Sequence, residues 1–174
     1  MKRLAGMALL AALVLALVAG CGGSKPKPTP KEELQAYVDL AAPWFKGIND
    51  AAGKASAAMG TLKPTKDETW TAASFVLGSA AAVFTDAARS FTDSQAPEAL
   101  KQANEGLVTA LNQLRQAAEQ MKTALDDGTF GPSLAKDPQL NKLFTDSRQL
   151  RLVWKDALVK ETARLGVKIP WSWQ

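Results

Sequence analysis

The feature that most constrains the fold is the stretch over residues 70–91, where apolar side chains recur at alternating spacings of three and four. These side chains are Trp70, Ala73, Leu77, Ala80, Phe84, Ala87 and Phe91. This spacing puts all of them on one face of an α-helix. An isolated helix is marginal in water, and most of its stability in a protein comes from packing such a face. The stretch therefore predicts a core helix of a packed domain.

Three further segments carry apolar stripes with helical spacing, over residues 30–60, 100–127 and 138–165. The first stripe consists of Leu34, Tyr37, Val38, Ala41, Phe45, Ile48, Ala52, Ala55 and Met59. The last consists of Leu140, Leu143, Phe144, Ser147, Leu150, Trp154, Ala157, Leu158 and Leu165. Together with residues 70–91, these segments predict four helices that bury their stripes against one another.

Local signals predict where the first two helices begin. Thr29 precedes Pro30 and is followed three residues later by Glu32, which is the pattern of a capping box with proline in the first turn. Thr65 and Glu68 repeat the capping-box spacing before the second helix. Both helices should therefore start on side chains that satisfy their free backbone N–H groups.

Other signals predict a bend and the remaining boundaries. Pro43 should kink the first helix, because proline removes a backbone hydrogen bond and crowds the preceding turn. Gly60 ends that helix, and Gly166 ends the last one. Asp137 is the predicted N-cap of the last helix, and the glycine- and proline-containing connection Asp126–Lys136 before it is the longest predicted loop.

No stretch shows sustained period-two alternation, so no sheet is expected. The predicted fold is all-α: an antiparallel up-down-up-down four-helix bundle over residues 30–166. An even number of antiparallel helices returns the chain to the end where it started. The C-terminal tail, residues 167–174, should therefore lie beside the N-terminus, with the loops Leu62–Thr65 and Asp126–Lys136 at the opposite end.

The amino terminus has the three parts of a secretion signal. Lys2 and Arg3 form a short basic region, and Leu4–Val18 form an apolar region that is too short to span a bilayer. The small residues Ala19 and Gly20 then precede Cys21, the only cysteine in the chain. Cleavage after Ala19 or Gly20 without further modification is the alternative to the interpretation that follows.

The run Leu17-Val18-Ala19-Gly20-Cys21 resembles the lipobox of bacterial lipoproteins. The resemblance implies a signal peptide over residues 1–20 and a lipidated Cys21, whose sulfur carries a diacylglyceryl group and whose amino group is often acylated, for example by palmitate. Two or more acyl chains anchor a protein stably in a bilayer, whereas one does not. The implied location is extracytoplasmic: the outer leaflet of the cell membrane, or an outer membrane. Residues 21–29 are rich in Gly, Lys and Pro, a composition that predicts a tether.

Charge and residue types exclude several function classes. The leader holds two of the 21 basic residues, so 19 remain against 17 acidic ones, with no basic patch that would indicate a nucleic-acid partner. The sequence has no histidine, which removes the usual general base and most zinc and haem sites. Asp126-Asp127-Gly128 starts like a calcium loop but lacks the later ligands. We therefore expect no cofactor and no metal.

Five tryptophans are the candidate ligand-binding or interface residues: Trp44, Trp70, Trp154, Trp171 and Trp173. Trp70 and Trp154 lie on predicted core stripes, so burial alone would explain them. Trp44, beside Pro43, faces a possible packing gap. Trp171 and Trp173 would either close the end of the bundle against Phe91, Tyr37 or Leu165, or contact lipid head groups.

The sequence favours a lipid-anchored, non-catalytic interaction or structural module of the cell envelope, held in the bilayer through Cys21 and contacting another envelope protein. The first alternative is a carrier or sensor of a small hydrophobic ligand within the bundle. The second is an enzyme that uses Asp or Glu.

Overall fold

The structure is a computed structural model that describes residues 27–63 and 66–172. This part of the chain is 82% helical and contains no strand, which confirms the predicted all-α class. Five α-helices follow one another, together with a short 3-10 turn over Glu98–Leu100. The helices are α1 (Pro30–Gly60), α2 (Glu68–Asp93), α3 (Lys101–Asp126), α4 (Pro132–Ala135) and α5 (Pro138–Leu165).

The predicted start of α1 is confirmed. The Thr29 side chain accepts a hydrogen bond from the Glu32 backbone N–H at 3.3 Å, and the Glu32 carboxylate accepts one from the Thr29 N–H at 2.7 Å. The hydrogen bonds from Thr29 lower the pKa of Glu32, because they favour its ionised form. The helix then runs without interruption through Pro43 to Gly60. The predicted kink stays a prediction.

The predicted capping box at the start of α2 is wrong. Thr65 lies outside the described residues, and α2 begins at Glu68 with Asp67 as its N-cap. The Asp67 carboxylate accepts a hydrogen bond from the Thr69 backbone N–H at 2.9 Å and pairs with Lys63 at the same distance. Aspartate is at least as good an N-cap as threonine, and its charge adds a favourable interaction with the helix dipole. The helix therefore starts two residues later than predicted.

The connection before α5 is not the plain loop that the sequence predicted, because it contains the short helix α4. Pro132 suits the first turn of that helix, since its missing N–H needs no partner there. The cap of α5 is as predicted: the Asp137 carboxylate accepts hydrogen bonds from the backbone N–H groups of Gln139 and Leu140, at 2.7 and 3.1 Å. Gly166 ends α5 with φ of +64°, a conformation that glycine adopts without strain.

The four long helices do not pack equally. α2 packs most closely on α3, α3 also packs on α5, and α1 packs mainly on α2. Alanines supply much of the buried surface of α2 and α3, which lets their backbones approach closely: Ala73, Ala80, Ala81, Ala87, Ala88, Ala110, Ala117 and Ala118. By contrast, α1 and α5 touch at few points along their length. This unequal packing defines the candidate site.

Two clusters of buried side chains lie at opposite ends of the helices. Tyr37 from the start of α1, Phe91 from the end of α2 and Trp154 from α5 share one cluster. Trp70 from the start of α2 and Leu125 from the end of α3 share the other. The Trp70 indole N–H donates to the Lys63 carbonyl at 3.0 Å, which fastens the α1–α2 connection.

Among the described residues, one helix, α2, has the length and apolar composition that a membrane span would need. Its apolar stripe, with Leu77 and Phe84 near the middle, is buried against the other helices.

Candidate binding groove

A groove runs between α1 and α5, where the two helices fail to close. Several side chains of the predicted stripes are only partly buried there, among them Phe45, Ala52 and Met59 of α1. Phe144 of α5 keeps 40% of its surface exposed. These side chains line the space between the helices instead of meeting across it. We call this space the α1–α5 groove.

The first part of the groove, the basic hollow, has a volume of about 270 Å³. Phe45, Ile48 and Asn49 of α1 form one wall. Phe91 of α2 and Leu107 of α3 lie at its base. The other wall is α5, which contributes Arg148, Arg151, Leu152, Trp154 and Lys155.

The second part, the apolar hollow, has a volume of about 250 Å³. It lies one to three turns further along α1, and Ser56 is its only polar lining residue. Met59 and Met121 line it, and their unbranched side chains adapt readily to different shapes. The remaining lining residues are Ala52, Ala55, Leu77, Phe84, Leu114, Ala118 and Phe144.

Positive charge is concentrated on the α5 wall of the basic hollow. Arg148, Arg151 and Lys155 follow one another at spacings of three and four, so they share one face of α5. Among the described residues, no aspartate or glutamate lines this hollow. The wall therefore presents cationic side chains beside an apolar base.

Arg151 is the most constrained of these cations. Its side-chain Nε is buried and has no hydrogen-bond partner. Burial lowers the pKa of Arg151, and the neighbouring charge of Arg148 lowers it further. A buried donor left without a partner costs about 1–3 kcal/mol. An anion in the hollow would relieve the repulsion between the two arginines.

Beside the basic hollow, a buried hydrogen-bond network holds Trp154 in place. The Tyr37 hydroxyl donates to the Asn104 side-chain carbonyl at 2.7 Å and accepts from the Trp154 indole N–H at 2.8 Å. The Asn104 amide N–H in turn donates to the Phe91 carbonyl at 2.9 Å. Burial raises the pKa of Tyr37, because it disfavours the phenolate. The network thus ties all four long helices together at this end of the groove.

The C-terminal tail lies at the same end. The Trp171 ring stacks on the Phe45 ring with centroids 5.4 Å apart and planes inclined by 26°. The sequence suggested that the tail closes the bundle against Phe91, Tyr37 or Leu165. Trp171 packs against the buried cluster that contains Tyr37 and Phe91, and its ring stacks on Phe45. Since Phe45 lines the basic hollow, Trp171 covers the flank of the groove.

The tryptophans predicted as candidate site residues fall into different environments. Trp154 is in the groove, and Trp171 stacks on its wall. Trp70 packs edge-on against Phe130 in the opposite cluster, with centroids 5.8 Å apart. Trp44 is partly buried against the core and lines neither hollow of the groove. Trp173 and Cys21 lie outside the described residues.

Sequence reasoning missed the two arginines as site residues. The sequence analysis did not single out Arg148 and Arg151, although they lie one turn apart and share a helix face with Phe144. The sequence signal that could have identified them is a cluster of cations beside an apolar stripe. The arginines become candidate site residues only because α1 and α5 leave an opening beside them.

Other hollows of the described chain do not resemble a site. One lies over the turn between α2 and α3, and another lies beside α4. Both are lined mainly by polar side chains, and each includes carboxylates such as Glu105 and Glu119. Within the described residues, no group of three or more Cys, Asp or Glu side chains is placed to hold a metal ion.

No protein-family model matches this sequence, and neither the curated proteins nor the solved structures include a significant match.

Proposed function

We propose that this chain is a lipid-anchored, non-catalytic binding protein of the bacterial cell envelope, and that the α1–α5 groove is its binding element. The observation that carries the proposal is the groove itself, in which two adjacent hollows lie between helices that carry apolar stripes yet leave them half covered. Native interiors are normally packed without such voids. An apolar pocket with a few polar groups is the usual form of a small-molecule site.

The helices belong to one antiparallel up-down-up-down bundle of four, with α4 as an insertion in the last connection. In support, Tyr37 near the start of α1 contacts Phe91 at the end of α2. The same hydroxyl bonds Asn104 near the start of α3 and Trp154 in the second half of α5. In an antiparallel bundle, the start of one helix lies at the same level as the end of the next, which is the arrangement of these contacts.

The anchor is the lipidated Cys21, held at the membrane by the tether over residues 21–29. Its support is the lipobox resemblance of Leu17-Val18-Ala19-Gly20-Cys21. Cys21→Ser should abolish labelling by radioactive fatty acid and release the protein from the membrane fraction. Ser24→Ala, three residues downstream, is the matched control and should be labelled normally. If Cys21→Ser still fractionates with membranes and still carries fatty acid, the anchor proposal is wrong.

The groove is tested by what it retains during purification. We expect the protein, extracted gently from its own membrane, to carry an apolar molecule that mass spectrometry detects after denaturation. Ala55→Trp fills the apolar hollow and should abolish retention, whereas Ala82→Trp, on an exposed position of α2, should not. Equal retention by both variants would locate the ligand elsewhere and overturn the proposal.

A protein partner is the second candidate function, favoured by one exposed residue. Phe75 of α2 keeps 76% of its surface exposed, far more than any other large apolar side chain described. A partner could bury this ring as an anchor, since aromatic side chains dominate interface energies. Phe75→Ser should then weaken capture of that partner and leave ligand retention in the groove unchanged.

A further inference from the structure

We infer that the α1–α5 groove binds a single-chain amphiphilic anion, with its anionic head against Arg148 and Arg151 and its chain along the apolar hollow. This inference rests on the proposed function of the groove and specifies the chemistry of its ligand.

The head group is assigned by the charges of the basic hollow. Arg148 and Arg151 line it one turn apart, and its lining among the described residues includes no aspartate or glutamate. The Arg151 Nε is buried without a hydrogen-bond partner. Guanidinium groups bind carboxylate and phosphate oxygens with short, charge-assisted hydrogen bonds. An anionic oxygen would thus pair with guanidinium groups that the lining itself does not neutralise.

The hydrocarbon chain of the ligand is assigned by the apolar hollow. Its lining on α1 continues the lining of the basic hollow along one helix face, from Phe45 and Ile48 to Ala52, Ala55 and Met59. These fourteen residue steps span about 21 Å at 1.5 Å per residue. The lining is extended along α1, with charge confined to one end, which fits one extended hydrocarbon chain better than a compact ring system.

The two ends give the ligand a direction. Arg148 and Arg151 lie nearer the level of Tyr37 and Trp154, where α1 starts and α5 ends. Met59 and Met121 lie towards the opposite end of the bundle. The head therefore lies closer to the start of α1, and the hydrocarbon chain of the ligand points away from it.

Photo-cross-linking of the full chain in its own membrane tests this inference. The probes are a long-chain fatty acid, a lysophosphatidate and an uncharged fatty alcohol, each with a diazirine near the end of the chain. We expect the two anionic probes to label residues 52–59 and Phe144, and the alcohol to label them weakly. Preference for the fatty acid identifies a carboxylate head, whereas preference for the lysophosphatidate identifies a phosphate head. Both outcomes support an anion.

Variants of the basic wall give the magnitude. The double change Arg148→Gln with Arg151→Gln should raise the concentration of anionic probe that gives half-maximal labelling by about tenfold or more, because charge-assisted hydrogen bonds are lost. Labelling by the alcohol should not change. Arg151→Lys keeps the charge and should retain part of the binding. Arg89→Gln, an exposed arginine on α2, is the matched control and should behave like the unaltered protein.

Three results would overturn the inference in distinguishable ways. Equal labelling of the groove by the alcohol, with no effect of the double variant, rejects the anionic head but leaves the groove as a ligand site. Absence of groove labelling with every probe rejects both the inference and the proposed function. Labelling around exposed Phe75 as strong as labelling in the groove indicates adsorption to apolar surface and also rejects both.

Discussion

The interface between α2 and α3 and the interface between α1 and α5 are built from different residue sizes. Where α2 meets α3, small buried residues such as Ala80 and Ala117 allow close approach of the two backbones. Where α1 faces α5, the α5 wall carries large or charged side chains, including Phe144 and Arg148. Closing this second interface would bury guanidinium groups without partners, which is costly. An apolar stripe predicts burial only where the facing helix carries no buried charge to desolvate.

The largest contrast is expected from truncating a leucine on each side. Leu111 of α3 is fully buried, and Leu152 of α5 is 43% exposed at the groove. Leu111→Ala should lower the free energy of unfolding by about 2–5 kcal/mol. Leu152→Ala should change it by no more than about 0.5 kcal/mol. Urea denaturation followed by circular dichroism measures both. Equal losses would mean that the α1–α5 groove is closed in solution.

Tyr37→Phe tests the buried hydrogen-bond network through which α1 and α5 do contact each other. Without the hydroxyl, the buried Trp154 N–H and the Asn104 carbonyl both lose a partner. The expected loss in the free energy of unfolding is about 1–3 kcal/mol. Ser79→Ala removes an exposed hydroxyl that bonds only within α2, and it serves as the control. A loss no larger than that of the control would exclude the network as the bridge between the two helices.

The same tyrosine predicts a dependence on alkaline pH. Tyr37 is the only tyrosine in the chain, so phenolate absorbance reports it alone. Its folded pKa is raised by burial above an unfolded value of about 10. The contribution to stability is therefore complete below pH ~10 and decreases as the pH rises above that value. Phenolate absorbance should appear together with loss of the helical signal. Ionisation at pH ~10 with the fold intact would contradict a buried hydroxyl.

Adding volume should affect the two interfaces in opposite ways. Ala80→Leu forces extra carbons into a buried position of α2 and should cost about 1–3 kcal/mol. Ala55→Leu points into the apolar hollow, where space exists, so stability should be unchanged or slightly higher. Thermal melting of both variants checks this. A strongly destabilised Ala55→Leu would show that the hollow is filled by the protein itself.

The smallest expected effect concerns the flank of the groove. Trp171→Ala removes the stack on Phe45, and an aromatic pair contributes about 0.5–1.5 kcal/mol beyond the buried area. The melting temperature should therefore fall, and Trp171→Phe should restore most of the loss. An unchanged melting temperature in Trp171→Ala would instead favour the head-group contact for the tail.

The sequence predicted the long helices well because their signals are local. The stripe from Trp70 to Phe91, the Thr29 cap and the Asp137 cap all depend on residues within one or two turns. The N-cap of α2 was missed because Thr65 and Asp67 both have suitable side chains, and choosing between them requires the path of the preceding turn. The end of the last helix at Gly166 again depended on one residue.

The groove was not predictable for a different reason. Whether Phe45 and Phe144 meet or stand apart depends on the rotation of two helices that are far apart in the sequence. No periodicity encodes that rotation. Trp154 was identified as a candidate, but its neighbours Arg148 and Arg151 gain a possible role only after α1 and α5 are set at their observed separation.

Chain order also distinguishes these interfaces. α1 and α5 are the neighbouring long helices that no turn connects, although a methyl group placed on Gly166 would lie only 4.0 Å from the Lys31 ammonium nitrogen. A circular permutant that joins these ends and opens the chain at residues 127–131 would make α5 and α1 a hairpin. The length of the new linker would then set the width of the groove, since short linkers restrict how far two helices can separate.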